Sequence, residues 1–109
     1  MALKYLPTAA HGLKWMRRYY RENPQLDIKA ASAALKRAEQ TLAEFPFSGE
    51  RYEDFETVRE HRISGTSFSL LYTVSAETIM IIDLRDVRGN RSAEALREFN
   101  KTVRRENSL

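Results

Sequence analysis

Two short runs hold the side chains of this sequence that could do chemistry: Arg59-Glu60-His61-Arg62, and the more widely spaced Arg85, Arg88 and Arg91. Cleaving RNA through its own 2′-hydroxyl needs a base, an acid and cations on the phosphate. Glu60, His61, Arg62, Arg85 and Arg88 supply every type required, with Glu60, His61, Arg62 and Arg88 the catalytic candidates for a ribonuclease. Placed on a strand, however, Glu60 and Arg62 face one way and His61 the other, so the three cannot converge on one bond. His61 beside two charged residues then reads as a surface histidine, and His11, in the first turn of a helix, has no assigned role. The arginines suit a different task, gripping an anionic partner. Sequence patterns for metal ligation, a nucleophile elbow or a glycine-rich phosphate loop are absent, so neither cofactor nor metal is expected.

Composition sets the frame for that surface. A chain of 109 residues forms one domain with one core. With 42% hydrophobic and 30% charged residues it belongs with ordered globular proteins. It has no cysteine, which rules out disulfide and thiolate chemistry and is compatible with a reducing compartment. Its apolar runs are far shorter than the roughly 20 residues that span a bilayer, and there is no signal-peptide core, so a cytoplasmic protein without membrane contact is expected. The formal net charge is +3 and the pI about 9.4. From Arg85 to Arg91 three arginines stand against one aspartate. Such a cluster favours an anionic partner, or else blunts a sheet edge against aggregation.

The surrounding elements follow from periodicity. Ala2 to Leu6 reads as a short strand ended by Pro7. Thr8 stands as an N-cap before Ala9, Leu13, Met16 and Tyr20, which share one helical face, and Trp15 with Tyr19 widens the stripe. Gly12 inside that helix costs about 1 kcal/mol relative to alanine and implies close packing there. Glu22-Asn23-Pro24 breaks the helix. A second helix, from Leu26 or Asp27 to Glu44, carries alanines small enough for the two axes to approach closely in an antiparallel hairpin. Phe45-Pro46-Phe47-Ser48-Gly49 stops it, and Glu50 to Glu56 reads as a polar loop. Three strands follow, Thr57 to Ile63, Phe68 to Val74 and Thr78 to Leu84, joined by connections short enough for an antiparallel meander. The last is apolar on both sides and must be central or covered on both faces. A C-terminal amphipathic helix over 92–107, with Leu96, Phe99 and Val103 on one face, completes a β-α-α-β-β-β-α order over a single domain, 1–109. The fold class is α+β: an N-terminal strand and an antiparallel helix hairpin packed on an antiparallel sheet. The place of the N-terminal strand in that sheet stays open.

Several pieces in this order resemble the RelE/ParE superfamily of bacterial toxins. They are Leu42-Ala-Glu-Phe45-Pro46-Phe-Ser-Gly49, then Arg59, then Ile63-Ser-Gly65-Thr66-Ser-Phe68-Ser-Leu70-Leu-Tyr72-Thr-Val74, then the apolar run Ile79 to Leu84 and Asp86-Val-Arg88. The resemblance implies the toxin of a type II toxin-antitoxin pair, held in a hetero-oligomer by a small antitoxin that wraps it. RelE-like members cut messenger RNA on the ribosome, and ParE-like members poison DNA gyrase. RelE-like nucleases carry a basic residue where Ser69 stands here, and without that cation a principal stabiliser of the phosphate transition state is missing. The ParE-like branch, which acts by binding, therefore fits better, although the histidine its members commonly have near Asp86 is absent. A non-toxic module that only engages an antitoxin is a third reading, motivated by Ser69, Gly12 and Asp86. Arg59, Arg62, Arg85, Arg88 and Arg91 are the candidates for target binding. Trp15, Tyr19, Tyr20, Phe68 and Tyr72 are the candidates for antitoxin contact, because aromatics dominate interface hot spots.

Overall fold

Five strands form one sheet in the order β1-β5-β4-β3-β2, flanked by two helices; the computed structural model describes residues 1–87. The elements are β1 (Ala2–Tyr5), α1 (Ala9–Glu22), α2 (Ile28–Glu44), β2 (Glu50–Arg51), β3 (Arg59–Arg62), β4 (Phe68–Ser75) and β5 (Thr78–Asp86). The expected helix over 92–107 lies outside the described residues.

The α+β order stands, and the meander β3-β4-β5 is antiparallel as expected. One pairing differs from a purely antiparallel sheet: β1 runs parallel to β5, from Ala2 opposite Thr78 to Tyr5 opposite Ile81. The Leu6 N–H extends the ladder to the Ile81 carbonyl at 2.9 Å. The apolar β5 is thereby central, flanked by β1 and β4. A register shift between Leu71 and Tyr72, where Leu71 faces Asp83 but Tyr72 faces Ile81, leaves Ile82 as an extra residue on β5. The bulge lets Ile81 and Leu84 join the helix-side core while Ile82 joins the opposite one.

Two cores result. Ala9, Met16 and Tyr20 of α1 and Ala31, Ala34, Ala38 and Leu42 of α2 close over Phe68, Leu70, Tyr72, Ile79, Ile81 and Leu84. On the other face Tyr52 and Phe55, their rings stacked 6.1 Å apart, cover Val58, Leu71 and Ile82 together with Leu6. That loop is why β5 can be apolar on both sides. It also displaces the start of β3: the Tyr52 N–H donates to the Val58 carbonyl at 2.9 Å, so pairing begins at Arg59 rather than Thr57. The preceding Glu50-Arg51, expected as loop, pairs with Glu60 and Arg59 as β2.

The helix ends differ in how they are held. Asp27 caps α2 by accepting from the Ala30 N–H at 3.1 Å. Thr8 does not cap α1; its backbone is already helical and its hydroxyl donates to the Ile82 carbonyl at 2.7 Å, tying the helix start to the sheet instead. Nor do the helix axes make the closest approach. The backbone of α1 lies nearest β5 and that of α2 nearest β1, with the α2 alanines filling the core between. The tight packing expected at Gly12 is therefore against β5: a Cβ there would sit 2.8 Å from the Leu84 nitrogen and 3.0 Å from its carbonyl oxygen, and against the Asp83 carboxylate.

Candidate functional site

Register alone sorts the candidate residues onto two faces. His61 lies opposite Leu70 and Arg59 opposite Tyr72, on the helix-covered side, whereas Glu60 lies opposite Leu71 and Arg62 opposite Ser69. Ser69 in turn faces Arg85 across the β4-β5 ladder. A single cross-strand row, Arg62-Ser69-Arg85, thus runs over the helix-free face, with Glu60 in the next row. The separation of Glu60 and Arg62 from His61 stands as the strand alternation required.

Contacts then divide the arginines. Arg85 forms a salt bridge through Nη1 to Glu60 Oε2 at 2.9 Å, and its guanidinium lies 5.7 Å from the centre of the Tyr52 ring. This pair pins β5 to β3 across β4 and removes Glu60 from service as a free base. Arg59 donates to the Gly49 carbonyl at 2.7 Å and lies over the Phe47 ring at 5.4 Å, so it staples the end of the helix hairpin to β3. Arg62 is exposed and makes no ion pair within the described residues. Arg88 and Arg91 lie outside the described residues.

Between Arg62 and Arg85, Ser69 is 0% exposed, and its hydroxyl, like that of Ser67 two residues before it, has no hydrogen-bond partner within the described residues. Small unpaired hydroxyls of this kind provide neither a cation nor a base. His61 on the far face has its pKa lowered from the ordinary 6.5 by burial, which favours the neutral ring. Tyr72, raised mainly by burial, stays protonated; its oxygen accepts from the Gly49 N–H at 2.9 Å.

The aromatic candidates divide as well. Phe68 and Tyr72 are fully buried, and Tyr20 is buried with its ring edge-on to Tyr19 at 5.4 Å, so these three are core in the free chain. Tyr19 is half-buried against Phe68, while Trp15 keeps 38% of its surface exposed. A patch not singled out by the sequence patterns lies at the hairpin end: Phe45 and Phe47 are 58% and 64% exposed and line a shallow recess of about 460 Å³ with Glu44, Pro46 and Ser48. The signal was present in Phe45-Pro46-Phe47, because a proline that ends the helix leaves its aromatic neighbours without a periodic face to join. Among the described residues no three acidic or histidine side chains gather to hold a metal ion, and no helix is long and apolar enough to cross a membrane.

The family model described as the ParE toxin of the type II toxin-antitoxin system parDE matches residues 3–90. Among curated proteins, none matches. A solved structure titled the chromosomal ParDE TA system from P. aeruginosa superposes with a TM-score of 0.64 at 20% identity, over 79% of this chain and 95% of that one.

Proposed function

The chain belongs to the ParE toxin family of type II toxin-antitoxin systems, and from that premise we propose that it inhibits DNA gyrase by binding, in the cytoplasm, until a cognate antitoxin silences it. The observation that carries this reading is the row Arg62-Ser69-Arg85. A ribonuclease would need a cation at its centre, and there stands a buried serine without a partner. Glu60, the nearest general base, is tied to Arg85, and His61 lies on the other face, which supports binding over cutting.

Arg62, together with Arg88 and Arg91, forms the target-binding set in this reading, since Arg59 and Arg85 are spent on the scaffold. The antitoxin is proposed to use the exposed aromatics, Trp15 and the rim of Tyr19 on one side and Phe45 and Phe47 on the other, with acidic residues answering the basic chain. Purified protein at micromolar concentration is expected to block gyrase supercoiling or trap cleaved DNA, and Arg62→Ala and Arg88→Ala are each expected to weaken this. Unimpaired supercoiling would count against the reading.

A further inference from the structure

The outer face of α1 carries a feature that neither the target-binding arginines nor the exposed aromatics account for. Ala9, Gly12, Met16 and Tyr20 are buried, and a helix turns about 100° per residue, so the side facing away from the sheet holds Lys14, Arg17, Arg18 and Arg21. All four are exposed, and none makes an ion pair or side-chain hydrogen bond within the described residues. They fall at i, i+3, i+4 and i+7, so each has like-charged neighbours one turn away, a spacing that destabilises a helix. Glu22 is the only carboxylate in α1. Of the four only Arg21, in the last turn, is favoured by the helix dipole, and among the described residues no carboxylate offsets the repulsion along the rest of the stripe. By contrast, α2 mixes Lys29, Lys36 and Arg37 with Glu39 and Glu44.

We propose that this face of α1 binds the phosphate backbone of duplex DNA directly, without sequence preference. From Lys14 to Arg21 the stripe rises about 10 Å along the helix, roughly the axial span of four successive phosphates on one strand. It is also rigid, because Gly12 seats the opposite side of the helix on the β5 backbone. With that side occupied, only the outer face meets the duplex, which allows phosphate contacts but little reading of base edges. An acidic peptide is the competing polyanion, but peptide docking relies on apolar anchors, and Trp15 is the one large exposed apolar side chain on α1. The exposed phenylalanines lie at the far end of the hairpin.

The proposal goes beyond the gyrase reading and is tested without gyrase. Fluorescence anisotropy of a labelled 20-base-pair duplex of arbitrary sequence is measured with the parent chain at about 50 and 200 mM salt. The same is done with the Lys14→Gln/Arg17→Gln/Arg18→Gln/Arg21→Gln variant and with a Lys29→Gln/Lys36→Gln/Arg37→Gln control, both checked for folding by circular dichroism. The parent is expected to bind with a dissociation constant of roughly 10⁻⁶ to 10⁻⁴ M and a steep salt dependence, about −3.6 in log-log slope for four phosphates. The α1 variant is expected to lose at least tenfold in affinity and most of that slope, and the α2 control less than threefold. Absence of binding at low salt would overturn the proposal. So would an α1 variant within twofold of the parent, or a control that loses as much. Polyglutamate that displaces the labelled duplex as well as unlabelled DNA does would assign the stripe to an acidic protein instead. Should gyrase prove untouched while DNA still binds, only the target reading fails.

Discussion

On the face of the sheet that the helices cover, Phe68, Leu70, Tyr72, Ile79, Ile81 and Leu84 interlock with side chains of α1 and α2. On the opposite face Leu71 and Ile82 sit under a smaller lid of Tyr52 and Phe55, and beside them run Glu60, Arg62, Ser69 and Arg85. The same strands present both faces, so the difference comes from alternation and from the one-residue bulge at Ile82. Stability is concentrated on the first face, which leaves the second free to hold charge at its margin without endangering the fold.

Substitutions on the covered face are expected to have the largest effects. Phe68→Ala is expected to cost about 3–5 kcal/mol in denaturant unfolding, because a fully buried ring at the contact with Tyr19 and Tyr20 is removed. Gly12→Ala is expected to cost about 2 kcal/mol even though alanine favours helix, since its Cβ would press on the Leu84 backbone, which cannot swing aside. Tyr72→Phe strands the Gly49 N–H and is expected to cost about 1–2 kcal/mol. Arg85→Gln, on the other face, is expected to cost no more than about 1 kcal/mol, because the salt bridge to Glu60 is partly open to solvent. At the small end, His61 has a folded-state pKa below its unfolded one, so the unfolded chain binds the proton more readily. Stability should therefore decline as pH falls below about 6.5, and His61→Gln should flatten that decline in a pH series of unfolding midpoints.

Much of this division was legible in residue order. The alternation in Phe68 to Val74 and the doubly apolar Ile79 to Ile82 located the two central strands, and Gly12 marked a close approach, though not the strand that it meets. What stayed hidden depended on contacts distant in sequence. Thr8 looks like an N-cap by position, but the Ile82 carbonyl takes its hydroxyl. Glu50-Arg51 has no strand propensity to show and pairs only because Arg59 and Glu60 arrive beside it. Strand alternation placed Glu60 and His61 on opposite faces, yet which arginine Glu60 would engage depended on how β5 aligned with β4. Phe68 and Tyr72 carry the residue types of an interface, and only their place under both helices shows them to be core in the free chain.

Gyrase supercoiling with purified chain, and with Arg62→Ala in parallel, decides whether the charged margin binds gyrase or cuts RNA. Inhibition at micromolar protein, weakened in a variant whose unfolding free energy stays within about 0.5 kcal/mol of the parent, is the expected result. Full supercoiling activity in the presence of the chain, together with messenger RNA cut in the ribosomal A site during growth arrest, would contradict it.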